Sequence, residues 1–170
     1  PIRIAVNICA RQLVQEGLVD TVSLVLEETG LPARFLELEL TESMIMQNEE
    51  AAVITLGELS GMGVRISIDD FGTGYSSLNH LKRFPIETLK IDRSFIRDLN
   101  TDPNDAEIVR AIIAMTHALR MQALAEGVET PEQLSFLKEH GCDLIQGYLI
   151  SRPLPPDDFV ALVRGGVPAG

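Results

Sequence analysis

Carboxylates, amides and one lysine recur in this chain at one kind of place, the end of a short apolar segment that reads as a β-strand. Asn7 ends the first such segment, Glu39 and Glu42 the second, and Asp69 and Asp70 the third. Lys90 and Asp92 end the fourth, Glu126 and Glu129 the fifth, and Gln146 the sixth. Taken singly, each has an ordinary explanation. Asp70 or Asp92 could cap a following turn, Glu42 and Glu129 could orient neighbours, and Asn7 could satisfy loop backbone. Taken together, several carboxylates on one rim would repel one another unless cations sat among them. Oxygen donors with an amide, and no histidine or cysteine beside them, suit Mg²⁺ or Mn²⁺ rather than zinc.

The elements that must position these groups alternate regularly. Strands are expected at Ile2–Ile8, Leu36–Leu40, Val64–Ile68, Thr88–Ile91, Ala123–Ala125 and Asp143–Ile145, mostly as apolar runs of the kind buried in parallel sheets. Helical patterns lie between them. Val22, Val25 and Leu26 share a face before Gly30; Asn48 can cap a helix that ends at Gly61; Asp102-Pro103 opens the longest, with Val109, Ile112, Ile113 and Leu119 at helical spacing. Thr130-Pro131-Glu132-Gln133 combines a cap, a first-turn proline and a capping-box glutamine, and Gly141 ends that helix. A last short helix is expected around Phe159–Val163. This alternation specifies an α/β protein with a parallel sheet. An open sheet gathers its ligand site at one switch point, whereas every strand of a (β/α)8 barrel ends at the same mouth. Six strands with polar ends therefore indicate the barrel.

Composition narrows the function classes. With 45% hydrophobic and 23% charged residues among 170, the chain can bury a core, and its two cysteines, Cys9 and Cys142, exclude a disulfide scaffold. Cys9 reads as a small buried hydrophobe and Cys142 as a core filler. His80, His117 and His140 fall in or at the ends of helices, away from the strand ends. No apolar run reaches the ~20 residues of a membrane span. Twenty-five acidic against fourteen basic residues, a net charge of −11, disfavour duplex nucleic acid and anionic membrane as partners. A phosphate ester could still bind where divalent metals invert the local field.

Gly72 and Gly74 follow Asp69-Asp70-Phe71 and loosely suggest a dinucleotide-binding turn, but Ser77 holds the place of the third glycine. Two aspartates at a strand tip would also repel a pyrophosphate. A loop able to fold over a metal-bound ligand is the better reading.

Six segments carry a more specific signal: Val6-Asn7-Ile8, Glu39-Leu40-Thr41-Glu42-Ser43, Asp69-Asp70-Phe71-Gly72-Thr73-Gly74, Leu89-Lys90-Ile91-Asp92, Ala125-Glu126-Gly127-Val128-Glu129-Thr130 and Gln146-Gly147-Tyr148. In order and spacing they resemble the EAL domain family, bacterial phosphodiesterases that linearise cyclic di-GMP to pGpG, over nearly the whole chain. The resemblance implies that Asn7, Glu39, Asp69, Asp70 and Glu126 hold two Mg²⁺ or Mn²⁺ ions. It places Lys90 near the attacking water and Gln146 at the site, makes Glu42 the residue that steadies the loop after Asp70, and makes Glu129 a supporting acid. It further implies a cytoplasmic domain, a homodimer, and attachment to sensory or GGDEF-type domains. Two divalent ions would activate water and clamp the scissile phosphate.

The family's Glu-Ala-Leu segment lies upstream of the Asn7 strand and has no counterpart here. With six strands where a barrel has eight, about 80 residues of a typical barrel are missing at the N-terminal side. Residues 1–170 are thus expected to be the C-terminal two-thirds of one phosphodiesterase domain, with exposed apolar edges and no appreciable activity alone. A catalytically silent cyclic di-GMP receptor is the main alternative; a metabolic barrel enzyme acting on another phosphate leaves the motif set unexplained.

Overall fold

In a computed structural model, which describes residues 2–47, 49–72 and 78–165, the alternating Leu36-Glu37-Leu38-Glu39-Leu40 forms strand β2 (Leu36–Thr41). The chain divides into two compact units, Pro1–Lys90 with Leu119–Met121, and Ile91–Ala118 with Gln122–Gly170.

In the first unit β2 lies between β1 (Ile4–Asn7) and β3 (Arg65–Phe71), parallel to both. Strand β4 (Thr88–Ile91) follows β3, and the Glu87 amide leads into it by donating to Ile66 O at 2.9 Å. The helices are α1 (Ala10–Leu13), α2 (Leu18–Thr29), α3 (Glu42–Gln47), α4 (Glu49–Gly61) and α5 (Leu78–Leu81). Helix α3 packs on β2 and β3, α4 on β3, and α2 on α4. Strand periodicity sorts the side chains by face. Leu38, Leu40, Ile66 and Ile68 share one face of β2 and β3 and are buried in the core, each worth roughly 1.5–3 kcal/mol relative to exposure. Glu37, Glu39, Arg65, Ser67 and Asp69 fall on the other. That face is also shielded, since Glu37, Glu39 and Ser67 are buried.

The second unit holds α6 (Arg93–Arg97), α7 (Pro103–Ala118), β5 (Gln122–Glu126), α8 (Pro131–Glu139), β6 (Leu144–Gln146) and α9 (Pro156–Gly165). Strands β5 and β6 are parallel, and α6 and α7 both pack on β5. Val109, Ile112, Ile113, Ala123, Ala125, Leu134 and Leu137 are buried. Asp143 joins α7 to the start of β5: its Oδ2 lies 2.9 Å from His117 Nε2 and accepts the Ala123 amide at 2.8 Å. Among the described residues no helix is long and apolar enough to cross a membrane.

All six expected strands are present among the described residues, and the helix ends at Gly30, Asp102 and Thr130 are where the cap residues put them. Several details differ. Strand β3 continues through Asp70 to Phe71, and β2 runs on past Glu39 to Thr41. Strand β1 is the edge of its unit, so Ile4 and Val6 are exposed rather than core. On α2 only Leu26 of the expected apolar face is buried, and Val25 is exposed. Cys9 is exposed at the N-cap of α1, because the chain has already left the sheet there. Cys142 is half-buried and its Sγ donates to Ala123 O and Leu144 O. Burial pushes its thiol up to about 11. The expected Asn48 cap and the loop residues Thr73–Ser77 lie outside the described residues.

Candidate active site

The polar face of the first unit converges on one buried cation. Lys90, on β4 and almost wholly buried, places its Nζ 2.9 Å from Glu39 Oε1 and 3.0 Å from Asp69 Oδ1. Parallel pairing explains the meeting. Glu39 stands beside Ser67 on β3, and Asp69 is two residues further along the same face, opposite Thr41. Each carboxylate removed from water here gains a charge-assisted hydrogen bond from the ammonium. Asn7, the last residue of β1, pairs in register with Glu39, and the next amide, of Ile8, donates to Glu39 O at 3.1 Å. Lower on the same face Glu37 pairs with Arg3 at 3.1 Å. Its two-residue spacing from Glu39 puts Glu37 on the same face of β2.

Asp70 turns away from the strand alternation. Its φ of +54° is left-handed, a region that costs a non-glycine residue about 1–2 kcal/mol, and its amide donates to Asp69 Oδ1 at 3.1 Å. Asp69 Oδ1 therefore accepts from both the neighbouring amide and Lys90. Asp70 itself is exposed. Glu42 opens α3 rather than ending β2, and it is buried; its Oε2 has no hydrogen-bond partner among the described residues. It does not enter the Lys90 ion pairs found among those residues. Ser67 Oγ is buried without a partner in the same sense.

In the second unit Glu126 and Gln146 end β5 and β6 and pair in register. Glu129 lies three residues beyond the strand, in a loop pinned from two sides. Val128 N donates to Gln146 O at 3.0 Å, and Leu149 N donates to Val128 O at 3.0 Å. This approach demands glycine at 147, where a Cβ would stand 2.2 Å from Val128 O. Gly127 has φ +70°, and a Cβ there would meet that of Arg93 at 2.7 Å. On the other side Gln133 Oε1 accepts the amides of Glu129 and Thr130. Asp92, Arg93, Arg97, Glu129, Thr130 and Gln133 line a cavity of about 650 Å³ in this unit. Asp92 is a helix cap, as one reading of the sequence allowed, accepting Ser94 N at 2.8 Å. Nothing in the sequence marks Arg93 as the packing partner of Gly127.

The structure thus groups Glu39, Asp69 and Lys90 in one unit, with Asn7 in register beside them, and Glu126 with Gln146 in the other. The donors Asn7, Glu39, Asp69 and Asp70 offer only oxygen, which fits a hard divalent cation.

The EAL domain model matches residues 1–153. The chain is 54% identical over 154 residues to cyclic di-GMP phosphodiesterase NbdA of Pseudomonas aeruginosa, covering 91% of this chain and 20% of that protein. The solved PaMucR phosphodiesterase in complex with c-di-GMP superposes with a TM-score of 0.89 at 50% identity, over 92% of this chain and 64% of that one. The EAL domain of Mycobacterium smegmatis DcpA gives a TM-score of 0.92 at 44% identity, over 98% and 74%. The chain spans about a fifth of the length of the first curated relatives it matches. Its α/β fold is that of the solved EAL domains. On the match over residues 1–153, the chain belongs to the EAL domain family.

Proposed function

We propose that these residues serve a phosphodiesterase that hydrolyses cyclic di-GMP to linear pGpG. The observation that carries the reading is the buried Lys90 ammonium between Glu39 and Asp69, with Asp70 turned out beside them. The names of the relatives NbdA and PdeR, both cyclic di-GMP phosphodiesterases, support it.

On this reading Asn7, Glu39, Asp69, Asp70 and Glu126 would hold two Mg²⁺ or Mn²⁺ ions. Bound there, the ions would supply acidified water and charge neutralisation at the phosphate. Lys90 contributes a fixed positive charge, which orients the attacking water and offsets charge gathering on a phosphate oxygen. The two carboxylates hold that charge in place, so little reorganisation accompanies the reaction. Gln146 offers an amide beside Glu126, Glu129 is a supporting acid at the site, and Glu42 steadies the loop that follows Asp70. Glu37, paired with Arg3, stays structural.

The same proposal takes residues 1–170 as the C-terminal two-thirds of a phosphodiesterase domain. The chain's coverage of 64% and 74% of two solved chains supports this. It places the domain in the cytoplasm as a homodimer, attached to sensory or GGDEF-type domains. One relative is named a bifunctional diguanylate cyclase/cyclic di-GMP phosphodiesterase, which supports the attachment.

The test uses full-length protein stripped with chelator and then given Mg²⁺, Mn²⁺ or neither, with loss of cyclic di-GMP followed over time. Turnover restored by either ion is expected. Tight binding without turnover under all three conditions would make the protein a receptor and overturn the proposal.

A further inference from the structure

The sequence marks Gln133 as a capping-box residue, and it meets that role: its backbone amide donates to Thr130 Oγ1 at 3.2 Å, and its Oε1 accepts Thr130 N at 3.0 Å. Two further bonds exceed the role. Oε1 also accepts the Glu129 amide, at 2.7 Å, and Nε2 donates to Ile96 O, near the end of α6, at 2.9 Å. A cap needs neither. A side chain that is 5% exposed thus ties two consecutive loop amides to a carbonyl of another helix.

The loop so tied joins Glu126 to α8. Its middle is fixed by Gln146, Leu149 and the close approach of Gly147 to Val128. Its far part, Glu129 and Thr130, is fixed by Gln133. Ile96 is wholly buried, so its carbonyl is a rigid anchor, and that rigidity is transmitted to the backbone that carries Glu129.

We propose that Gln133 is a positioning residue for the reaction: it holds the Glu126–Thr130 loop at the height at which Glu126 and Glu129 act. This rests on the phosphodiesterase reading. Removing the side chain leaves α8 in place but frees the Glu129 amide and cuts the loop's tie to the Ile96 carbonyl, which keeps the Asp98 amide as a donor. Misplacement of an acting group lowers the rate of the chemical step more than it weakens binding of a ligand held at many points.

The experiment compares full-length wild type, Gln133→Met and Thr130→Ala in cyclic di-GMP hydrolysis at fixed Mg²⁺, with thermal unfolding of each. Methionine keeps the volume and loses every side-chain hydrogen bond; Thr130→Ala loses only the cap. Gln133→Met is expected to lower kcat at least ~10-fold with KM within about twofold, while Thr130→Ala loses stability and keeps kcat within about twofold. A Gln133→Met enzyme with wild-type kcat, or equal kcat losses in both variants, overturns the proposal. Wild type that turns over no substrate sinks the phosphodiesterase reading instead. Independently of activity and of either variant's folding, hydrogen exchange on wild type should show the Glu129 amide strongly protected although it lies outside any helix. Rapid exchange there would also overturn the proposal.

Discussion

Lys90 Nζ and Asp69 Oδ1 lie 3.0 Å apart, with side chains only 3% and 16% exposed. At such a separation and burial the pair is coupled strongly enough that neither partner can be removed alone without leaving a charge in a poorly solvated place. Lys90→Ala should therefore destabilise the fold by about 3–5 kcal/mol. Added Mg²⁺ should recover part of that loss, because a divalent cation among Glu39 and Asp69 restores the charge balance. Urea midpoints with and without the ion measure both effects. An unchanged midpoint in Lys90→Ala would remove the lysine from the centre of the site.

Ser67 makes the opposite prediction on the same face. Its hydroxyl is buried with no partner among the described residues, so its desolvation is uncompensated. Ser67→Ala should raise stability by about 1 kcal/mol, seen as a higher urea midpoint at unchanged slope. A clear loss of stability would show that the hydroxyl is bonded.

Gly147→Ala should be among the most damaging single-methyl changes in the chain. Its Cβ would stand 2.2 Å from Val128 O, a backbone atom that cannot swing aside. A cost of about 3 kcal/mol is expected, measured by thermal unfolding. Gly57→Ala, on the exposed face of α4 where a Cβ meets nothing within 4 Å, is the contrasting control and should gain about 0.5–1 kcal/mol.

Two groups carry pH predictions of opposite sign. Burial raises the Cys142 thiol from 9.0 to about 11, so the folded state disfavours its thiolate. That contribution to stability is complete below pH 9 and is lost as pH rises toward 11. At pH 8 iodoacetamide should modify exposed Cys9 rapidly and Cys142 slowly; equal rates in mass spectrometry would contradict the assignment.

For Asp143 burial works against the charged form, but the Ala123 amide and the His117 ring outweigh it and hold the carboxyl below its ordinary range. Its stabilisation is present above the ordinary aspartate value of about 3.9 and is lost as pH falls through the lower folded value. Asp143→Asn should flatten that part of the acid-unfolding curve, and an unaltered acid limb would count against it.

Much of this was legible in the residues. Strands showed themselves as short β-prone runs, and Thr130-Pro131-Glu132-Gln133 declared its cap because the chemistry of a cap is local. Residues that act across the sheet were harder to read. Glu39, Asp69 and Lys90 come from three strands, and only pairing register shows that one ammonium serves both acids. Helices α1, α3, α5 and α6 have four to six residues each, too few for a helical period to emerge. Ile4 and Val6 have the composition of a core strand, and only the place of β1 at an edge exposes them. The tie from Gln133 to Ile96 joins residues far apart in sequence, so nothing local to Gln133 announces it.

The central claim is that these carboxylates serve hydrolysis of cyclic di-GMP, and pGpG formation by full-length protein, wild type beside Asp69→Asn, tests it most directly. Asparagine keeps the size of the side chain and removes its charge from beside Lys90 and Asp70. Under identical Mg²⁺ the wild type should release pGpG, and a folded Asp69→Asn protein should release at least ~100-fold less, a loss of several kcal/mol of transition-state stabilisation. Equal pGpG formation by the two proteins, or none by wild type, would contradict the account.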